Sequence, residues 1–263
     1  SALVAAGITF PKLRVFYIGY PDRTFIGYVL RNGRIQSFSY LDGSDGATSL
    51  EGYYARDDGY VSKPSYCPPK SQTSSYDPVQ RPWYQAAAQA GYPVWSSPYE
   101  FFNSGGKIGI TYSLPFYNYN NDLVGVIGID VSLYETFKLL FQRISAINTN
   151  TIYYAMESRS SPLQVDGSSS EYNLLFSSSN ANFLSPSNTL VKAWDITSVN
   201  DYMISSSAGY IRDASLGTEN SAYFTSGAID ALMNTFTSYG LSWKFVAVSF
   251  DYIYSNNNNN NND

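Results

Sequence analysis

The chain has 263 residues, of which 44% are hydrophobic, 17% aromatic and only 14% charged, a composition that excludes a disordered or fibrous polymer. Lys and Arg number 16 against 21 Asp and Glu, a net charge of −5, and no basic run is available to neutralise a row of phosphates, so a nucleic-acid partner is excluded. Histidine is absent and cysteine occurs once, at Cys67, which removes Ser-His and Cys-His nucleophile pairs, internal disulfides and thiolate metal cages.

No stretch approaches the roughly 18 consecutive apolar residues of a membrane-spanning helix. The opening Ser1-Ala2-Leu3-Val4-Ala5-Ala6-Gly7 lacks the charged start and long apolar middle of a signal peptide, and is expected to begin a processed fragment. Abundant Tyr (25 residues) with few Lys suits an extracellular surface.

Leu13–Gly19 and Thr24–Leu30 are aromatic and β-branched runs on either side of Pro21-Asp22, the pattern of a hairpin. Arg34–Leu41 reads as a third strand, followed by loops at Asp42–Gly46 and Lys63–Gln72. A short helix is predicted over Pro82–Gln89, because Pro suits the first helical position and Gly91 can take the left-handed conformation that ends a helix. Strands resume at Lys107–Pro115 and Leu123–Val131, joined by the Asn-rich turn Asn118–Asp122. Leu133, Phe137, Leu140, Phe141 and Ile144 then recur at helical spacing, with Ser132 and Glu135 as a capping box.

The second half repeats this grammar more loosely. Thr151–Met156 and Asn173–Ser177 read as strands, and Ser185-Pro186 opens a predicted helix reaching Trp194. Ile229, Leu232, Met233 and Phe236 predict another helix before Gly240, and Trp243–Val248 a closing strand. Asn256–Asn262 has nothing to bury and is expected to be a disordered tail. The fold class is α+β, two tandem modules each built on a mainly antiparallel sheet flanked by helices.

The informative stretch is Tyr76-Asp77-Pro78-Val79-Gln80-Arg81-Pro82-Trp83-Tyr84. Downstream come Trp95-Ser96-Ser97-Pro98-Tyr99, the Ile-Thr-x-Ser-x-Pro run Ile110–Pro115, and Val124-Gly125-Val126-Ile127-Gly128-Ile129-Asp130. In that order these motifs resemble the double Cache family of extracellular sensor domains, densely from about Phe10 to Ile144 and only architecturally from Thr151 to Tyr254. The resemblance implies two PAS-like Cache modules: a membrane-distal ligand-binding module over 1–148, a membrane-proximal module over 149–254, then the tail 255–263. It also implies that Tyr76, Arg81, Trp83, Tyr84, Tyr99 and Asp130 match the positions used by the members of the family that bind free amino acids. The long N-terminal helix usual in the family has no counterpart before Gly7, which leaves open whether the chain forms a homo-oligomer.

The chemistry of the residues points the same way. An α-amino acid offers a carboxylate and an ammonium on one carbon, so its site needs a cation and an anion a few ångströms apart. Arg81 can fork onto the carboxylate, with the Trp83 indole and the Tyr76 hydroxyl as further donors. Asp130 can accept from the ammonium, helped by the hydroxyls or ring faces of Tyr84 and Tyr99. Phe101, Phe102 and Thr111 are candidates for the wall around the ligand's side chain. A structural salt bridge between Arg81 and Asp130, and core packing for the rings, are the plainer alternatives. Asp130 needs some partner in either case, since it interrupts an apolar run.

The expected function is sensing of an amino acid or related zwitterion outside the cell, relayed to a transmembrane protein through segments beyond this chain. A structural or adhesive module of the same fold is the alternative. Asp57-Asp58 before Gly59 reads as a solvated turn, and without a nucleophile-and-base pair no enzyme, cofactor or metal is implied.

Overall fold

The computed structural model describes residues 15–31, 34–41, 51–54, 76–102, 104, 107–133, 135–137, 150–158, 172–179, 190–196 and 202–250. The loops read at 42–46 and 63–72, most of the helix at 133–144, and the Asn-rich tail lie outside them. The chain forms two compact units, residues 1–96 with 110–131, and residues 97–109 with 132–263.

The first sheet opens with β1 (Val15–Gly19), β2 (Phe25–Arg31) and β3 (Arg34–Leu41), an antiparallel meander that continues into β4 (Glu51–Tyr54). The hairpin turns where Pro21-Asp22 was expected, with Thr24 N–H bonded to Asp22 Oδ1 at 2.9 Å. After helix α1 (Pro82–Ala90) come the short strands β5 (Val94–Trp95) and β6 (Tyr99–Glu100), then the long pair β7 (Ile108–Tyr117) and β8 (Leu123–Ser132). The strand order is β4-β3-β2-β1-β8-β7-β5, with β6 also paired to β7. β8 therefore sits between the first strand of the meander and β7, which places Asp130 mid-sheet beside β1.

The turn between β7 and β8 closes as its composition requires. Asn118 Oδ1 accepts from the N–H groups of Asn120 and Asp122, and its amide donates to Asp122.

The second sheet is also wholly antiparallel. It comprises β9 (Thr151–Glu157), β10 (Leu174–Ser177), β11 (Ser221–Ser226), β12 (Ile229–Ser238) and β13 (Leu241–Phe250), in the order β10-β9-β13-β12-β11. Helix α2 (Tyr202–Asp213) covers one face, burying Met203, Ile204, Ala208 and Ile211 among Tyr154, Met156 and Val246. Lys244 is fully buried, and its ammonium donates to the Glu219 carbonyl at 2.9 Å and to Thr235 Oγ1 at 2.8 Å. The two antiparallel sheets with few flanking helices match the expected tandem PAS-like modules.

Two sequence expectations fail here. Ile229, Leu232, Met233 and Phe236 lie on β12, not on a helix. Ile229, Ala231 and Met233 are buried while Leu232 and Phe236 stay exposed, so the operative period is two and the outward apolar residues mimic a helical stripe. The helix expected to reach Trp194 is instead extended chain at Asn173↔Lys192 followed by a 3-10 turn, Ala193–Asp195. Backbone pairing of Leu174 N–H to the Val191 carbonyl, at 2.8 Å, outcompetes helix formation there. Residues 185–189 of that expected helix lie outside the described set.

Candidate functional site

Arg81 is the joint between a 3-10 turn, Pro78–Gln80, and α1. Its backbone is extended (φ −81°, ψ 144°) and held from both sides. The N–H donates to the Pro78 carbonyl at 3.1 Å, and the carbonyl accepts from Tyr84 and Gln85, each at 3.1 Å. Pro82 supplies the first helical residue, where its missing N–H costs nothing. The side chain of Arg81 takes no part in capping the helix. Asp77 does the turn's work: its carboxylate accepts from Val79 N–H at 3.0 Å and pairs with Arg23 at 3.3 Å.

The first turn of α1 drives Trp83 and Tyr84 into the sheet, where both are buried. The close approach depends on Gly19 of β1, because a Cβ there would meet Trp83 Cη2 at 2.8 Å and Pro78 Cβ at 3.1 Å. Trp83 stands edge-on to Tyr17 with ring centroids 4.7 Å apart, and Phe25 stands edge-on to Tyr76 at 4.9 Å. Losing a ring such as Trp83 from this cluster would cost about 3–5 kcal/mol.

Tyr76 is buried, and that burial pushes its phenol well above the usual range. A hydrogen bond with Trp83 and the charge of Arg81 oppose that rise, and the charges of Asp130 and Asp77 add to it. The indole N–H expected on a ligand carboxylate is thus engaged with the Tyr76 hydroxyl. Tyr84 packs edge-on to Trp83, its phenol raised by burial and then by Asp22, so it answers to the hairpin turn.

Asp130 lies near the end of β8, with its described hydrogen bonds all on one carboxylate oxygen. Tyr17 donates to Oδ1 at 2.5 Å and Thr111 donates to the same atom at 2.7 Å. Burial lifts the carboxyl from 3.8 to about 6, against the lowering by the Tyr17 and Thr111 hydrogen bonds and by the charge of Arg81. Arg81 therefore acts on both Tyr76 and Asp130 through its field. That brings Tyr76, Arg81, Trp83 and Asp130 into one neighbourhood of the first unit. Tyr99 lies on β6, within the stretch 97–109 of the second unit, half-buried with its ring edge-on to Phe101 at 5.4 Å. Phe102 is half-buried too. Thr111, expected as wall, is fully buried and serves as a donor to Asp130.

Tyr17 is the participant that the sequence reading missed. Its signal lies in the register: Tyr17 is paired with Gly27 on one side and Gly128 on the other. Asp130, two residues beyond Gly128 on the same face, is its diagonal neighbour.

Residues 26–136 match the model of the methyl-accepting chemotaxis protein-like first PDC sensor domain. Over that stretch the chain is similar to a chemoreceptor sensor domain, as the Cache resemblance of its sequence implies. The match takes in Tyr76, Arg81, Trp83, Tyr84, Tyr99 and Asp130, whereas Tyr17 precedes it. Methyl-accepting chemotaxis protein McpA of Pseudomonas putida is 42% identical over 67 residues, a stretch that takes in 25% of this chain and 10% of that receptor. Among solved structures, the periplasmic sensory domain of the Campylobacter jejuni chemoreceptor Tlp1 is similar at a TM-score of 0.51, with 11% identity over 94% of this chain and 76% of that one. A methyl-accepting chemotaxis protein X is similar at a TM-score of 0.50, with 15% identity over 95% of this chain and 79% of the other. Both likenesses are of fold.

Proposed function

We propose that the sensor domain works outside the cell and binds a free amino acid, or a close amine-carboxylate analogue, in a distal module spanning 1–148. The module over 149–254 relays occupancy to a transmembrane protein. The observation that carries this reading is that the charge of half-buried Arg81 acts on Asp130, a carboxylate that burial has made costly to ionise. Such a carboxylate gains most from a cation brought by a ligand.

In this reading Arg81 forks onto the ligand carboxylate. Trp83 donates to the Tyr76 hydroxyl, which polarises that hydroxyl as a donor to the same carboxylate. Asp130 accepts from the ammonium. Tyr84 supports Trp83 from behind, and the Tyr99 hydroxyl is included on its sequence motif. Charge-assisted contacts of about 1.5–3 kcal/mol each, less the cost of ordering the ligand, give affinities on the order of micromolar. The similarity of part of the chain to a chemotaxis protein supports a receptor as the output.

Calorimetry of the folded chain against the twenty proteinogenic amino acids at pH 7 is the test. At least one should bind, and binding should vanish in Arg81→Ala and Asp130→Ala. A silent panel with folded protein would overturn the reading.

A further inference from the structure

Tyr17, Thr111 and Asp130 form a triangle of oxygens. Two edges end on Asp130 Oδ1, at 2.5 and 2.7 Å, and the third joins Tyr17 Oη to Thr111 Oγ1 at 3.1 Å. Each hydroxyl carries one proton. With Asp130 ionised, two protons serve two edges, both directed at Oδ1, and the hydroxyl–hydroxyl edge holds none. A proton on Oδ1 would supply the third edge and close the ring. The short edges on the carboxylate and the long edge between the hydroxyls fit the ionised form.

The triangle is held from outside. The Tyr17 ring is pinned edge-on against Trp83, and the Thr111 N–H is bonded to Ser96 Oγ at 3.0 Å. Thr111 and Tyr17 are both buried. Among the described residues, the groups facing Asp130 are Tyr17 from β1 and Thr111 from β7, with Arg81 ahead of α1 and Tyr76 upstream acting through their charge or dipole.

We infer that Tyr17 and Thr111 are positioning residues for ligand recognition: by both donating to Oδ1 they fix the rotamer of Asp130, keep it ionised and leave Oδ2 as the acceptor for the ligand's ammonium. This rests on the amino-acid reading for the identity of the ligand, and on the triangle alone for the state of Asp130. It makes the site selective for a cationic nitrogen. A des-amino acid gives Oδ2 nothing, and a hydrogen bond to the carboxylate is then left to water.

The experiment has two arms on the full chain. In the first, the carboxyl carbon of Asp130 is titrated by NMR in aspartate-labelled protein without ligand, its resonance assigned by loss in Asp130→Asn. Tyr17→Phe, which keeps the ring, and Thr111→Val, which keeps the shape, should each raise the midpoint by about one pH unit. Thr111→Ser, which keeps the hydroxyl, should restore the wild-type midpoint. In the second arm, any amino acid found to bind is compared with its des-amino acid at pH 6. Tyr17→Phe and Thr111→Val should weaken the amino acid about tenfold and leave the des-amino acid unchanged. A midpoint that does not move in either variant overturns the inference, even where an amino acid binds. A midpoint that moves as stated while no amino acid binds upholds the control of Asp130 and sinks the amino-acid reading instead.

Discussion

The ring of Tyr17 lies across Gly128: a Cβ built on Gly128 would stand 2.2 Å from Tyr17 Cε2 and 2.8 Å from Cζ. The two residues are register partners across β1 and β8. Without a side chain at 128, the phenol can run diagonally over the backbone until its hydroxyl reaches Asp130. The glycine in the Ile-Gly-Ile-Asp run is there for the tyrosine of another strand.

Gly128→Ala should accordingly act at a distance from its own backbone. Overpacking of this kind costs about 1–3 kcal/mol and sometimes more, and here the displaced group is a buried ring wedged against Trp83. The melting temperature should fall, and amino-acid binding should weaken along with it as Asp130 loses a donor. Thermal unfolding and calorimetry on the same preparation check both. A variant of unchanged stability and affinity would mean the ring has room to move.

The charge on Asp130 has a cost that can be measured in the absence of any ligand. The folded carboxyl stands at about 6 against 3.8 for an ordinary one, so between those values the folded chain holds a proton that the unfolded chain releases. Stability therefore falls as pH rises through that window and stays lowered above it. Asp130→Asn keeps an acceptor for Tyr17 and Thr111 and removes the charge. At pH 7 it should raise the unfolding free energy by at most about 2–3 kcal/mol, with the gain shrinking as pH falls from about 6 and gone below about 4. Urea unfolding at several pH values reads this directly, and a loss of stability at pH 7 would contradict it.

The same shift sets the pH dependence of binding. An ammonium is best held by an ionised carboxylate, and protonation of Asp130 competes with it. From pH 7 down to 5 the affinity for a bound amino acid should drop about tenfold, with a proton released on binding in that range. Calorimetry at pH 5 in buffers of different ionisation enthalpy would show the release. Flat affinity across the window would mean that Asp130 does not contact the ammonium.

Arg81 separates charge from shape. Arg81→Lys keeps a cation but loses the planar fork that fits a carboxylate, and a lysine ammonium is more strongly hydrated. It should weaken binding about tenfold, whereas Arg81→Ala should abolish it. Equal loss in both variants would place the weight on geometry alone. No loss in Arg81→Lys would assign it to charge.

Much of this arrangement is legible in the sequence because local chemistry dictates it. Pro82 and Gly91 frame α1, and Gly91 indeed takes φ 74°. Asp130 stands out as a carboxylate in an apolar strand. What is not legible depends on partners distant along the chain. Tyr17 is one aromatic in a strand of aromatics until β8 is laid beside it, and Thr111 could as well be a wall as a donor. Helix α2 is hidden by Ser205-Ser206-Ser207 and Gly209, poor helix formers, although Met203, Ile204, Ser207, Ala208 and Ile211 do keep a helical stripe that packing on the second sheet rewards. On β12 the error runs the other way: exposed Leu232 and Phe236 complete a helical pattern that burial does not support.

That helix carries a sharper test of how the second unit is held. Ser207 is fully buried, and its hydroxyl donates to the Met203 carbonyl at 2.7 Å while lying 2.8 Å from the Tyr154 hydroxyl. Since the serine has a single proton and spends it on Met203, Tyr154 is the donor between them. Removing either side chain is therefore unequal. In Tyr154→Phe the serine keeps its bond to the helix backbone and only a ring-edge hydroxyl is lost, at about 1 kcal/mol. In Ser207→Ala the buried phenol is left with nothing to donate to, at about 1–3 kcal/mol, and its burial is what already pushes that phenol above its usual range. Denaturant unfolding should rank Ser207→Ala as the more damaging change and show the double variant less destabilised than the sum of the two. The reverse order would put the proton on the other side of the bond.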